Sequence, residues 1–94
     1  MSDVNPVSPS PDGELLPPLP ERRQLVLNLA RNVMDARAAA GLTQLQLAQA
    51  SELSRATVHL IEAGACDPRI STVAQLARAL RLNPLKLLEH HEKC

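Results

Sequence analysis

The sequence has no aromatic residue, since Phe, Tyr and Trp do not occur among its 94 residues. Single-stranded nucleic-acid binding by stacking of bases on aromatic rings is therefore excluded. The core has to be built from Leu, Ile, Val and Ala, a mixture that suits packed short helices better than a sheet. The composition thus predicts an all-α protein with one modest core.

Long apolar runs and a signal peptide are also missing from the sequence. No apolar stretch approaches the roughly 20 residues needed to cross a bilayer, and the N-terminus has no basic segment followed by an apolar one. We therefore expect a cytoplasmic protein without membrane contact.

Cysteine is scarce, with Cys66 and Cys94 as the two thiols. They could form a disulfide, but a reducing cytosol favours free thiols. The C-terminal HHEKC could bind a stray metal, yet no second cluster completes a four-ligand set, and a frayed helix end explains it better. We expect no metal and no cofactor.

Charge and proline divide the chain in two. Residues 1–20 hold six of the eight prolines, which predicts a disordered N-terminal tail, although LPPLP within it could be a polyproline ligand. From Arg22 onward, ten basic residues accompany six acidic ones, a net charge of +4. This balance is compatible with a nucleic-acid partner but does not establish one. The folded domain is expected over residues 21–94.

Apolar residues after Pro20 recur with the period of an α-helix. The stripe predicted for this first helix is Leu25, Leu29, Val33, Ala36 and Ala40. Gly41 should end the helix in a left-handed conformation. Thr43 and Gln46 then form the T-x-x-Q pattern of a capping box, which opens the second helix.

Four more helices are predicted, over residues 43–51, 55–63, 70–80 and 84–90. Ser54 should cap the third helix and Gly64 should end it, while Asn83 and Pro84 open the fifth. The residues of these helices and their turn that are expected to face the core are Leu47, Ala48, Leu53, Val58, Ile61, Val73, Leu76, Ala77 and Leu80. The predicted fold is a compact bundle of five short helices.

The third helix has a second face that the core does not need. Only three residues join it to the second helix, which forces the steep crossing of a helix-turn-helix. The side opposite the core holds Arg55, Ala56, His59, Leu60 and Ala63. In the major groove of B-DNA, Arg55 could bind a guanine edge and Ala56 could contact a thymine methyl. A solvated surface helix would show the same pattern, and composition alone does not separate these interpretations.

Several short motifs follow one another in a fixed order. They are GLTQ at 41–44, LA at 47–48, LSRATV at 53–58, IEAG at 61–64, Pro68 and LARAL at 76–80. On these motifs the chain over about residues 25–88 resembles the lambda-repressor-like helix-turn-helix family, also called the xenobiotic-response-element family. The resemblance implies a lambda-repressor-like bundle and a dimeric, sequence-specific protein that binds double-stranded DNA.

The resemblance also implies roles for single residues. Base contacts are implied for Arg55, Ala56 and Leu60, with His59 beside them. Contacts to the DNA backbone are implied for Gln44, Thr57 and Arg69, and a helix N-terminus such as that of Gln44 favours an anion. Arg37 and Glu62 match an ion pair that joins the first and third helices.

Three residues depart from the family pattern. Glu52 stands in the turn where the family usually has Gly, which predicts a strained or altered turn. Arg81 replaces a customary Gly after the fourth helix, so that this helix could run on. Leu45 replaces a usually polar residue and should be exposed.

The expected function is a homodimeric transcriptional regulator, acting as a repressor on a palindromic operator. The core is too small to bury both Leu85 and Leu88, three residues apart on the fifth helix, along with its other leucines. We expect this leucine pair to form the dimer interface. Two alternatives are an antitoxin that binds a toxin and represses its own operon, and the controller of a restriction-modification operon. No arrangement of catalytic residues converges, so we expect no enzymatic activity.

Overall fold

The structure, a computed structural model, describes residues 20–90. Its five helices are α1 (Pro20–Ala39), α2 (Gln44–Ser51), α3 (Arg55–Glu62), α4 (Ile70–Leu80) and α5 (Pro84–Leu88). No strand occurs in these residues, and the predicted all-α bundle of five helices is confirmed. Of the predicted tail, residues 1–20, Pro20 begins α1 and the rest lies outside the described residues, as do Cys94 and residues 91–94.

Side-chain caps begin three of the helices at the predicted places. The hydroxyl of Thr43 accepts the N–H of Gln46 at 3.0 Å, and the side chain of Gln46 accepts the N–H of Thr43 at 2.9 Å. Ser54 and Asn83 cap α3 and α5 with their side-chain oxygens. These caps satisfy backbone donors that the first turn of a helix leaves without partners.

A residue in the left-handed conformation follows each of the first four helices. Gly41 adopts a left-handed φ of 73°, as predicted, and Gly64, the predicted end of the third helix, has φ 68°. Glu52 in the turn after α2 has φ 62°, so the expected strain there is present. Arg81 also adopts a left-handed φ of 60° and ends α4 at Leu80. The expectation that α4 could run on is therefore wrong, because Arg81 takes the capping conformation despite its side chain.

The core lies between α1 and the four shorter helices. Its buried members are Leu29, Val33, Leu47, Ala48, Val58, Ile61, Val73, Leu76, Ala77 and Leu87. Two members of the predicted α1 stripe are exposed, which corrects that prediction. Leu25 lines an open groove beside Pro68 and Ile70, and Ala40 lies beyond the end of α1.

Two asparagines of α1 hold the end of α5. Asn28 donates to the carbonyl of Leu88 at 3.1 Å. Asn32 donates to the carbonyls of Leu87 at 2.9 Å and Glu89 at 2.8 Å. Glu89 is extended, so α5 ends at Leu88 and not at residue 90 as predicted. The last carbonyls of α5, which have no partner within the helix, are satisfied by side chains of α1.

Candidate nucleic-acid interface

The turn between α2 and α3 is fixed by hydrogen bonds on both sides. The N–H of Leu53 donates to the carbonyl of Ala48 at 2.9 Å. Buried Ser51 donates its hydroxyl to the carbonyl of Leu47 at 2.7 Å, and Gln75 of α4 donates to the carbonyl of Ser51 at 3.0 Å. The three-residue connection thus sets α3 at a defined angle to α2, as in a helix-turn-helix.

The outer side of α3 is exposed to solvent. Val58 and Ile61 are buried, whereas the exposed residues are Arg55, Ala56, His59, Leu60 and Ala63. At about 100° per residue, these exposed positions span an arc of roughly 140° on one side of the helix. We call this set of five residues the outer face of α3. The structure brings all four predicted base-contacting residues together on it.

Arg37 and Glu62 form a two-pronged ion pair between α1 and α3. Nε of Arg37 lies 2.6 Å from one carboxylate oxygen of Glu62, and Nη2 lies 3.1 Å from the other. Nη1 of Arg37 donates to the carbonyl of Leu42 at 2.8 Å. The hydrogen bond to Glu62 raises the pKa of Arg37, while burial acts in the opposite direction. The pair predicted from the family resemblance is present in the structure.

Gln44 joins the same network from the start of α2. Its side-chain N–H donates to an oxygen of Glu62 at 3.1 Å. Both oxygens of this buried carboxylate are therefore satisfied, and α3 is tied to α1 and α2 at once. The amide of Gln44 has a second N–H, so its predicted contact to a phosphate does not require the bond to Glu62 to break.

The other two predicted backbone-contacting residues lie at helix starts. The hydroxyl of Thr57 is 2.8 Å from that of Ser54 in the first turn of α3. Arg69 is the exposed N-cap residue of α4 and has no capping hydrogen bond from its side chain. Neither Arg55 nor Arg69 forms an ion pair within residues 20–90.

The predicted dimer residues differ in their exposure. Leu85 is 68% exposed, one of the highest values for a large apolar residue in the described part of the chain. Leu88 is half-buried and packs against the core, so the two leucines are not both buried, as predicted. The role of both residues in a dimer stays a prediction.

Sequence reasoning missed the asparagines that hold α5. Asn28 is buried, and Asn32 is half-buried. A signal was present, because two Asn residues four apart lie beside Leu29 and Val33 of the apolar stripe. Such placement puts both amides on one side of α1, although their partners are more than fifty residues away.

Within residues 20–90, no helix is long and apolar enough to cross a membrane. The same residues contain no group of three or more His, Cys, Asp or Glu that could hold a metal ion. Cys66 is a free, half-buried thiol, and burial raises its pKa.

Comparison with known proteins identifies the family. Residues 28–90 match the sequence model of a helix-turn-helix domain family. No curated protein gave a significant match. Among solved structures, the chain is similar to the restriction-modification controller protein C.AhdI from Aeromonas hydrophila. The TM-score is 0.64 at 31% identity, over 66% of this chain and 94% of that one.

Two further structures show the same fold. The hypothetical transcription factor NHTF from Neisseria is 28% identical with a TM-score of 0.70, over 82% of this chain and 88% of that one. The HTH_3 family transcriptional regulator from Vibrio cholerae is 24% identical with a TM-score of 0.67, over 70% of this chain and 37% of that one. These matches confirm the family resemblance. The chain belongs to the helix-turn-helix domain family and is a DNA-binding transcriptional regulator of the lambda-repressor-like type.

Proposed function

We propose that this regulator is a cytoplasmic repressor that binds a palindromic operator as a homodimer, with α3 of each copy in the major groove of one half-site. The observation that carries the proposal is the outer face of α3. All its residues are exposed, and its helix is tied to α1 and α2 through Glu62. A fixed helix with an open side is what direct readout in the major groove requires.

The residues of this surface divide into two groups by position. Arg55, Ala56, His59 and Leu60 lie on α3 and are assigned to base edges. Three residues at helix starts are assigned to the DNA backbone, namely Gln44, Thr57 and Arg69. Backbone contacts set the position of the protein on the duplex, and base contacts supply the sequence preference.

The homodimer is supported by apolar surface on and before α5. Leu85 is exposed, and so is Leu82 just before the helix. A two-fold interface uses the same patch on both copies, and an operator bound by such a dimer has two-fold symmetry. With Leu88 partly used in the core, Leu85 is the main candidate of the predicted pair.

Selection of bound sites from random duplexes tests the proposal. The expected result is a near-palindrome whose half-sites are about 10 bp apart, centre to centre, or a multiple of that distance. The protein should then lower transcription from a promoter that overlaps the selected site. A strongly selected site without two-fold symmetry, or increased transcription, would contradict the proposal.

A second candidate function is control of a restriction-modification operon. It is supported by the similarity to C.AhdI, which extends over 94% of that protein. This candidate differs from the first in its target. It predicts that the selected site lies upstream of genes for a nuclease and a DNA methyltransferase. Absence of such genes near every genomic copy of the site would exclude it.

A further inference from the structure

The outer face of α3 carries few groups that can form hydrogen bonds. Three of its five residues are apolar, namely Ala56, Leu60 and Ala63. Leu60 is 43% exposed, whereas Val58 and Ile61 on the other side of α3 are buried. Only Arg55 and His59 offer polar groups there, so most of this surface cannot read donors and acceptors of base edges.

The major-groove edges of the bases offer one apolar group to such a surface. Guanine, adenine and cytosine present donors and acceptors, whereas thymine also presents its C5-methyl group. An apolar side chain that faces a polar base edge leaves that edge without a hydrogen-bond partner, which costs binding energy. An apolar side chain that faces a methyl group removes both from water and gains energy.

We propose that Leu60, together with Ala56, recognises the C5-methyl groups of pyrimidines, so that the preferred half-site contains thymines beside the base pair bound by Arg55. The inference rests on the proposed insertion of α3 into the major groove and adds the class of base that most of the helix surface selects. Because 5-methylcytosine carries the same methyl group, the protein also distinguishes methylated from unmethylated cytosine at these positions.

The spacing on α3 agrees with this assignment. Ala56 and Leu60 are four residues apart and so are neighbours on one side of the helix, about 5–6 Å apart. Successive base pairs are separated by about 3.4 Å, so the two side chains face base pairs one or two steps apart. Arg55 precedes Ala56 directly and lies on the same exposed arc, so the guanine and the thymines belong to one short run of base pairs.

Replacement of thymine by deoxyuridine tests the proposal, because deoxyuridine lacks the methyl group and keeps every hydrogen-bonding group. The probe is the duplex selected from random sequence. In each version, deoxyuridine replaces the thymine at one position of the half-site, in both half-sites. Affinity for the wild-type protein should fall about fourfold per lost methyl contact, which corresponds to about 0.8 kcal/mol. At the thymine that Leu60 contacts, Leu60→Ala should bind thymine and deoxyuridine equally.

Leu45→Ala is the matched control, because Leu45 is a similarly exposed leucine, at 50%, on α2. This variant should keep the full sensitivity to deoxyuridine. In a second arm, the same pair is changed to cytosine-guanine, which should weaken binding, and 5-methylcytosine should restore part of the loss for the wild type and none for Leu60→Ala.

Two results would overturn the proposal while leaving the proposed function intact. In the first, deoxyuridine changes wild-type affinity less than twofold at every thymine, although Arg55→Ala abolishes the preference for the selected site. In the second, Leu60→Ala keeps the wild-type sensitivity at every position. If no site is selected, or if Arg55→Ala leaves the preference unchanged, the insertion of α3 itself is wrong, and this inference is wrong with it.

Discussion

At the scale of single residues, Arg55 and Arg69 have the same side chain in different places. Arg55 is the first residue of α3, whereas Arg69 precedes α4 after the loop that contains Pro68. A purely electrostatic view of DNA binding expects the two to contribute alike, because each neutralises one phosphate. The proposed interface separates them, because only α3 reaches base edges.

Arg55→Ala should lower affinity for the operator by roughly 1–3 kcal/mol and relax the preference at one base pair of each half-site. Arg69→Ala should weaken binding to all sequences about equally. It should also reduce the slope of log affinity against log salt concentration by about one. Fluorescence anisotropy with operator and scrambled duplexes at several salt concentrations measures both effects. An unchanged ratio of the two affinities in Arg55→Ala would contradict the assignment of α3 to base reading.

The Arg37–Glu62 pair should be important for stability because it is shielded from water. The side chains are only 19% and 4% exposed, and loss of one partner leaves a buried charge uncompensated. Arg37→Met should therefore lower the free energy of unfolding by about 3 kcal/mol. Lys86→Met is the matched control, since the pair of Lys86 with Glu89 is exposed and should contribute at most about 1 kcal/mol.

Urea unfolding followed by far-ultraviolet circular dichroism measures both variants, because the chain has no Trp or Tyr for fluorescence. Equal losses in the two variants would mean that Glu62 has other adequate partners. Gln44 is the one seen in the structure, at 3.1 Å from the carboxylate.

At the scale of elements, the turn between α2 and α3 holds a residue in an unfavourable conformation. Glu52 adopts φ 62° and ψ 38°, a region that costs a residue with a side chain roughly 1–2 kcal/mol. Glu52→Gly should therefore raise the free energy of unfolding by about 1 kcal/mol, since glycine adopts this conformation readily. Thermal unfolding of Glu52→Gly and of Glu52→Ala, which retains the side-chain clash at Cβ, separates this effect from loss of the carboxylate. A similar gain in both variants would show that backbone strain is not the cause.

The starts of α2, α3 and α5 were predictable because they depend on neighbours in the sequence. Thr43, Ser54 and Asn83 cap groups two or three residues away, and the pattern of residue types contains all that is needed. The ion pair of Arg37 with Glu62 was predictable only through the family resemblance, because twenty-five positions separate the two residues.

The end of α5 and the exposure of Leu88 could not be predicted in this way. They depend on Asn28 and Asn32, which reach carbonyls of a helix far along the chain. Arg81 shows the same limit, since it adopts the left-handed conformation at the end of α4 despite its side chain. Periodicity identifies an apolar side of a helix, but the neighbour that covers each turn decides which residues are buried.

At the scale of the whole molecule, the proposed DNA-reading element of one copy is short. Its α3 has eight residues, so in the proposed complex a single copy contacts only a few base pairs. The described domain lies within the part of the chain that carries the positive charge, whereas the acidic residues Asp3, Asp12 and Glu14 precede it. A long and specific site therefore requires two copies on one duplex, and the surface around α5 is the proposed place of contact.

Leu85→Gln tests that contact without altering net charge or the cap of α5, which uses the backbone N–H of residue 85. Because Leu85 is exposed, the substitution should leave unfolding of the monomer nearly unchanged and weaken self-association at least tenfold, as expected for a residue at an interface centre. Sedimentation velocity over a range of concentrations should show a wild-type dimer and a Leu85→Gln monomer. Leu45→Gln, an equally conservative change at an exposed leucine of α2, should remain dimeric.

On DNA, Leu85→Gln should lose affinity for the complete operator while binding an isolated half-site like the wild type. Equal loss on both duplexes would indicate damage to the DNA-binding surface, and a wild-type monomer at tens of micromolar would refute the proposed dimer.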